Sequence, residues 1–344
     1  MTHEEGLELN EKYSSELMKI FPTFKFGNSN ISSADNFVTS QQYDFSIKQE
    51  FLKDTIYYPN GQNEFIHYTS LDSLYGILNS GEIRLYDLNN MNDPFEFKYL
   101  IRKLDLNLNK EQIEFFKRSL FITSLCGFQG KDSFDLWRLY GKDGKGVGIV
   151  FEIVNPEDKW RNVLLGKVIY GTNSSASEQL KKAIELTNLF VLQKGMNLDR
   201  LPMLLGLLLL HHKNEIWGIE EEFRLSTVAI YRNEFDPRPD QNFLSSYAGT
   251  SGYFLNSSGK RLSFISLPLE YKVKKELSLK YNKEEIGALL KEYPQIRIKK
   301  IIAGYALSKE FIEKLKNFVF EFCYSKWGST IRVETSGLYE EFNE

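Results

Sequence analysis

From residue 64 onward, strand-like and helix-like segments follow one another without the regular strand–helix–strand alternation of a parallel sheet. Strands are predicted at FIHYTS, EIRLYDL, FITSLCGF, VGIVFEI, NVLLGKVIYG, EEFRLSTVAIY, LSFISLPL, residues 296–302 and TIRVET. Helices are predicted at LDSLYGILNSG, residues 106–118, KDSFDLWRLYG and residues 308–323. This irregular mixing favours an α+β fold with a mostly antiparallel sheet.

The chain is predicted to form one α+β domain, residues 61–344, preceded by a helical and flexible N-terminal extension, residues 1–60. The extension combines an amphipathic helix over residues 7–20, a polar Ser/Asn-rich stretch and a second short helix over residues 45–51. The patterns in AIELTNLFVLQKGM and LPMLLGLLLLHH are helical, so residues 175–215 are expected to be an α-helical insertion.

Composition excludes several classes of protein. Forty-three basic and forty-six acidic residues give a net charge of −3, which argues against a large duplex nucleic-acid surface. Two cysteines and four histidines are too few for a disulfide framework or a recognisable zinc cluster. The apolar run Leu201–Leu210 is much shorter than the ~20 residues of a spanning helix, and the charged N terminus lacks a signal-peptide core. A cytoplasmic protein with no membrane partner is expected.

Two local clusters place chemically useful side chains close together. His67, Tyr68 and Thr69 lie at the end of a predicted strand, where they either cap the core or hold a ligand edge-on. Trp137 and Tyr140 share one face of a short predicted helix, with Arg138 between them. That aromatic pair either packs in the core or forms a stacking wall for a planar ring. Sequence alone leaves both alternatives open.

A third cluster, WGIEEEFRL, offers the best chemical constellation. If the segment is extended, Glu220, Glu222 and Arg224 project to one side and Glu221 to the other. The guanidinium could then hold one carboxylate in a bidentate pair and leave the second free to act on a substrate. Most runs of adjacent carboxylates are solvated surfaces, so this cluster alone names no reaction.

Together these segments resemble the DUF2971 family of bacterial proteins. The resemblance rests on FIHYTSLDSLYGILNSGEIRL, NNMNDPFE, FITSLCGF, FDLWRLYG and KGVGIVFEI, in that order. It ends on K-x-x-x-W-x-x-E-x-E-x-R, formed by Lys213, Trp217, Glu220, Glu222 and Arg224. The similarity covers about residues 64–225.

The layout of that family is similar to the ADP-ribosyltransferase superfamily, which implies a split sheet and NAD as substrate. The resemblance implies Glu222 as the catalytic carboxylate, Glu220 as its partner, and His67 as the ribose contact. Tyr140 or Trp137 would form the nicotinamide wall, although here the aromatic lies on a predicted helix rather than a strand. The NAD-binding residues implied in this way are His67, Tyr68, Thr69, Trp137, Arg138, Tyr140 and Arg224, with no metal ligand.

The resulting hypothesis is an enzyme that cleaves the nicotinamide–ribose bond of NAD and transfers ADP-ribose to a protein or nucleic acid. A role as a toxin or anti-phage effector, restrained by a regulatory or antitoxin protein, rests on family analogy. The alternatives are a NAD glycohydrolase and a non-catalytic nucleotide- or partner-binding module. In that module Leu204, Leu207, Leu208 and His211 would line a docking face. A metal nuclease built on Glu220, Glu222 and Asp93 ranks last.

Overall fold

A computed structural model describes most of the chain. The described residues are 2–23, 29–34, 37–43, 48–90, 96–106, 108, 110–130, 132–154, 160–171, 175–190, 201–229, 250–255, 259 and 261–343. Helices and strands within these ranges are mixed, with a mostly antiparallel open sheet. The predicted α+β class with a mostly antiparallel sheet is therefore confirmed.

The helices of the described residues are α1 (His3–Ile20), α2 (Leu71–Ser80), α3 (Glu96–Lys103), α4 (Lys110–Ser119), α5 (Phe134–Tyr140), α6 (Ser175–Asn188), α7 (Leu201–Leu209), α8 (Glu270–Ser278), α9 (Lys283–Lys291), α10 (Lys309–Trp327) and α11 (Tyr339–Asn343). The strands are β1 (Ser29–Ala34), β2 (Phe37–Tyr43), β3 (Glu64–Thr69), β4 (Glu82–Asp87), β5 (Leu120–Gly127), β6 (Val147–Ile153), β7 (Leu164–Lys167), β8 (Ile169–Tyr170), β9 (His212–Lys213), β10 (Glu222–Val228), β11 (Ser251–Leu255), β12 (Arg261–Pro268), β13 (Ile296–Ala303) and β14 (Arg332–Thr335).

Several predicted boundaries are set by local capping. The Ser70 hydroxyl accepts a hydrogen bond from the backbone of Ser73 and begins α2, as expected of an N-cap serine. Gly81 ends the helix in the left-handed conformation, with φ of 67°, which glycine adopts without steric cost. The sequence had indicated Gly81 as this stop, and β4 starts at the next residue.

Four expectations about the elements need correction. Residues 29–34 and 37–43 form an antiparallel strand pair, β1–β2, where only a polar Ser/Asn-rich stretch had been indicated. The expected helix over residues 45–51 is a short 3-10 turn at Gln49–Leu52, and residues 44–47 lie outside the described part. A turn was expected at residues 89–97 and no helix before residue 106, whereas residues 96–103 form α3. The sequence patterns also did not predict α8 and α9, within residues 270–291.

One sheet dominates the fold, and it is split around β5. Its strand order is β11-β12-β4-β5-β3-β6-β13-β14, and β10 pairs with the other edge of β5 and with β7. On one side, β5 pairs with β10 along its whole length. On the other side, it pairs with β4 through Phe121 and Ile122, and with β3 through Cys126 and Gly127. Between these two short contacts β3 and β4 separate, which opens a gap beside the middle of β5.

Helix α7 is built into the core rather than offered to a partner. Leu207, Leu208 and His211 are all buried, and the side chain of Leu204 lies outside the described part. A Cβ on Gly206 would lie 2.8 Å from the Phe116 ring, so glycine lets α7 pack closely against α4. The three described residues of the docking face proposed for this helix are therefore covered. Among the described residues, no helix combines the length and apolarity needed to span a bilayer.

Helix α1 also packs into this part of the core. The hydroxyls of Tyr13 on α1 and Thr187 on α6 lie 2.8 Å apart in a buried hydrogen bond. The Tyr13 ring also contacts Phe190, with 5.1 Å between ring centroids. The first predicted helix therefore exists, and it is attached to the predicted α-helical insertion.

Candidate active site

A cleft of about 710 Å³ lies at the split in the sheet. Its polar and aromatic lining includes His67, Tyr68, Thr69, Ser70, Ser73, Ser124, Cys126, Tyr140, Lys142, Lys213, Trp217, Glu220, Glu222 and Arg224. Side chains that are distant in sequence therefore meet in one concave site. A volume of this order is typical of small-molecule sites.

His67 lies on β3 beside the gap and contacts the exposed backbone of β5. Its Nδ1 lies 3.2 Å from the carbonyl oxygen of Ser124, which can only accept, so the Nδ1–H donates. Burial lowers the pKa of His67, against a smaller opposing effect of the Ser124 carbonyl. The imidazole is therefore neutral at pH 7, and its Nδ1 is held by a hydrogen bond to the backbone.

The centre of the site is a buried cluster of four charges, which we call the carboxylate cluster: Lys213, Glu220, Glu222 and Arg224. The Lys213 Nζ lies 2.6 Å from Glu220 Oε2 and 3.2 Å from Glu222 Oε2. The Arg224 Nε and Nη2 donate to Glu222 Oε1 and Oε2 at 2.7 and 3.1 Å. Two cations balance two carboxylates, which is how buried charges are tolerated.

The predicted bidentate pair is present, but the second carboxylate is not free. Glu220 accepts a hydrogen bond from the Tyr140 hydroxyl in addition to its ion pair with Lys213. Burial alone would raise the pKa of Glu222, but the Arg224 and Lys213 charges dominate and lower it to about 2. The hydroxyl of Ser124 donates to the same carboxylate and acts in the same direction. Glu222 is therefore ionised throughout the physiological range.

The backbone brings Glu220 and Glu222 together in a way that differs from the expected extended row. Residues Glu215–Glu220 form a 3-10 turn, capped by the side chain of Asn214. Glu221 then adopts a left-handed conformation with φ of 41°, and β10 begins at Glu222. Glu221 is consequently exposed, while its two neighbours are buried. The assumed extended geometry holds only from Glu222 to Arg224.

The two aromatic residues of α5 have different surroundings. Tyr140 lines the cleft, whereas Trp137 is fully buried and does not. The indole Nε1 of Trp137 donates to Asp132 Oδ2 at 2.6 Å, and its ring packs edge-on against Tyr68. Of the two candidates for a nicotinamide wall, only Tyr140 is placed for that role, because the other ring belongs to the core.

Arg138 and Thr69 also differ in placement. Arg138 is exposed, lies over the Phe134 ring at 5.9 Å, and is not part of the cleft lining. Thr69 lines the cleft at the end of β3. The Arg138 side chain therefore has no contact that would hold a ligand in this cleft.

Sequence reasoning gave no separate role to Lys213 and Trp217, which are central to the site. The Lys213 Nζ lies 5.1 Å from the centre of the Trp217 ring, and both residues line the cleft. A signal was present, because both belong to the K-x-x-x-W spacing that precedes the two carboxylates. Cys126 and Tyr170 were also missed; the Tyr170 hydroxyl accepts from the backbone N–H of Glu222 at 2.9 Å.

Behind the cluster lies a buried pair of histidines. His212 Nε2 lies 2.7 Å from the Tyr57 hydroxyl, and His211 Nδ1 lies 2.9 Å from the Leu207 carbonyl. Burial lowers the pKa of His211 to about 4 and that of His212 to about 3, with nearby positive charge adding to the effect. Both rings are therefore neutral in the folded protein at pH 7.

This pair predicts acid sensitivity with a defined sign. A folded-state pKa below the unfolded value of 6.5 gives stability that is complete above pH 6.5 and lost as pH falls towards 4 and 3. We expect Tm to fall steadily between pH 7 and pH 4, and His212→Gln to flatten that slope. Calorimetry between pH 7 and pH 4 measures the change of Tm with pH, and His3→Gln on α1 is the control. Equal slopes for both variants would contradict the prediction.

The nuclease alternative finds little support in this geometry. Glu220 and Glu222 are already balanced by cations, and Asp93 lies outside the described part. Within the described ranges, no group of three or more His, Cys, Asp or Glu side chains is arranged to hold a metal ion.

Comparison with known proteins supports the family resemblance for part of the chain. Residues 136–225 match the sequence model of a family described as protein of unknown function, DUF2971. The matched segment runs from α5 into β10 and contains Tyr140, all four residues of the carboxylate cluster, and Trp217. Searches of curated proteins and of solved structures found no match. The family link therefore rests on the segment that builds the carboxylate cluster.

Proposed function

We propose that the chain is an NAD-dependent enzyme of the ADP-ribosyltransferase type, which cleaves the nicotinamide–ribose bond and transfers ADP-ribose to a macromolecular acceptor. One observation carries the proposal: His67 and the pair Glu220 and Glu222 face a single cleft from opposite sides of β5. This is the arrangement expected from the family resemblance, in which a His contacts the ribose and a Glu acts beside it.

The chemistry of bond cleavage suits these side chains. Loss of nicotinamide generates an oxocarbenium-like transition state with positive charge on the ribose. A preorganised carboxylate stabilises such charge most effectively where water is excluded. Glu222 is 2% exposed and ionised, and Arg224 and Ser124 fix its position. It therefore offers a fixed, ionised carboxylate beside the cleft in the ground state, without a proton transfer.

The remaining lining fits the other parts of NAD. Tyr140 and Trp217 provide aromatic surfaces for the leaving nicotinamide ring. Lys142, Ser70 and Ser73 provide a cation and two hydroxyl groups for the diphosphate. These assignments use residues that already line the cleft.

The decisive experiment follows nicotinamide release from NAD by the purified protein. We expect Glu222→Gln to lower the rate by at least ~100-fold, the usual scale for losing one charge-stabilising group. Glu221→Gln is the matched control, because Glu221 is adjacent but exposed, and it should retain the wild-type rate. Unchanged turnover in Glu222→Gln would refute the assignment.

Because Glu222 balances Arg224, a second variant separates catalysis from folding. The double change Glu222→Met with Arg224→Met removes one carboxylate and one guanidinium together, so the cluster stays neutral. This protein should fold and remain inactive. Transfer of labelled ADP-ribose to protein or nucleic acid in a lysate identifies the acceptor, whereas release of free ADP-ribose in buffer alone would indicate a NAD glycohydrolase.

A non-catalytic nucleotide-binding module is the second candidate. The mutual neutralisation of the four buried charges favours it, since such a cluster also stabilises a pocket without reacting. Isothermal titration calorimetry measures whether NAD binds the folded protein. If NAD binds but is recovered intact, with or without lysate, the protein is a binding module.

A further inference from the structure

Lys213 lines the cleft, but the proposed chemistry assigns it no step. Its ammonium contacts both carboxylates of the cluster, and its side chain is only 9% exposed. β9 brings it there: it pairs in parallel with β8, through Ile169 opposite His212 and Tyr170 opposite Lys213. A two-stranded sheet separate from the main one thus delivers this cation to the start of β10.

The two cations of the cluster have different partners. Arg224 holds Glu222 with two hydrogen bonds. Among the described residues, Lys213 supplies the one cation within ion-pair distance of Glu220. Without Lys213, two buried carboxylates would share a single guanidinium, and a pair of like charges in a buried site retains a proton.

We infer that Lys213 is a positioning residue, which balances the charge of the Glu220–Glu222 pair and fixes Glu220 against Tyr140. The effect of Lys213 on catalysis, unlike its effect on stability, rests on the proposed function. Through Glu220, the ammonium also orients the Tyr140 hydroxyl, which donates to that carboxylate at the wall of the cleft. One lysine thus sets both the charge beside the ribose and the position of an aromatic ring.

The charge state of the pair depends on every group that faces it. Besides the two cations and the neutral imidazole of His211, these are Tyr140 from α5, Cys126 from β5 and Tyr170 from β8. Burial, followed by the charges of the two carboxylates, raises the pKa of Cys126. For Tyr140, burial is again the largest cause, followed by its hydrogen bond to Glu220, and the pKa is also raised. All three groups therefore stay neutral at physiological pH, and none of them replaces the charge of Lys213.

The first test needs no activity. In Lys213→Met the folded protein should retain a proton that the unfolded chain has released, so its stability is lost as pH rises. The deficit in Tm relative to wild type should therefore grow between pH 5 and pH 8. Adding Glu220→Gln should restore much of the lost Tm and remove its pH dependence, because the unbalanced carboxylate is gone.

The matched control combines Lys213→Met with Glu221→Gln, which removes an exposed carboxylate and should restore nothing. If Glu220→Gln also fails to rescue Lys213→Met, and the Tm deficit is the same at every pH, Lys213 acts only by packing over Trp217. That result would overturn the inference, whether or not the protein consumes NAD.

The second test uses nicotinamide release as a function of pH. Lys213→Met should lower the rate by about 10- to 100-fold near pH 6 and by much less at pH 9, where the carboxylate pair ionises again. A loss by the same factor at every pH would contradict a charge-setting role. If the wild-type protein releases no nicotinamide, the proposed function fails, while the stability test still decides the role of Lys213.

Discussion

Arg224→Met is expected to lower the free energy of unfolding by about 3–5 kcal/mol, the usual cost of leaving a buried charge without its partner. Arg224 is 1% exposed, donates two hydrogen bonds to Glu222, and donates a third to the carbonyl of Leu210. Among the described residues, its removal leaves Lys213 as the one cation paired with both Glu222 and Glu220 in the core. Urea unfolding of the two proteins measures the difference.

The double variant with Glu222→Met tests the cause of that loss. If the uncompensated carboxylate is responsible, removing it should recover most of the stability, because a pair of methionines fills similar space without charge. If the double variant instead loses as much stability as the two single variants together, the two side chains stabilise the core independently.

Trp137→Ala is expected to destabilise the protein by about 3–5 kcal/mol, as for other large-to-small changes of buried aromatic residues. The Trp137 ring is fully buried, packs against Tyr68 with 4.9 Å between ring centroids, and donates to Asp132. It also lies within 2.2 Å of where a Cβ on Gly141 would be, which indicates close packing at the end of α5. Chemical denaturation measures the loss.

Trp137→Phe is the matched control, because it keeps an aromatic ring in the core and should cost considerably less. Nicotinamide release by the folded fraction of each variant should remain close to wild type. A stable Trp137→Ala protein with impaired NAD binding would contradict the core assignment and return this residue to the nicotinamide wall.

Much of the secondary structure was predictable because local signals determine it. Short apolar segments marked β3, β5 and β6, alternating residues marked β10, and Gly81 marked the end of α2. The hairpin β1–β2 and the helix α3 escaped prediction, because polar composition and the adjoining Asn-rich, Pro-containing segment suggested turns there. Composition and local pattern do not reveal which weak signals tertiary packing will stabilise.

Part of the candidate site was also predictable from the sequence, and part was not. The sequence identified Glu220, Glu222 and Arg224 as one cluster, because they occupy alternate positions of a segment that was assumed to be extended. In the structure only Glu222 and Arg224 lie on the strand. It could not place Trp137 and Tyr140 in different surroundings, since a shared helix face says nothing about what lies opposite each ring. Only packing against Tyr68 assigns the tryptophan to the core.

By itself, the sequence determined the α+β class, the strands that carry His67 and Glu222, and the spacing that brings Arg224 to its carboxylate. Only the tertiary structure decided that β5 holds β3 and β4 apart, that Glu221 turns outward, and that Lys213 neutralises the second carboxylate. The physical reason is range. Periodicity and capping act over a few residues, whereas the charge balance of a buried site depends on side chains that meet only after the sheet has formed.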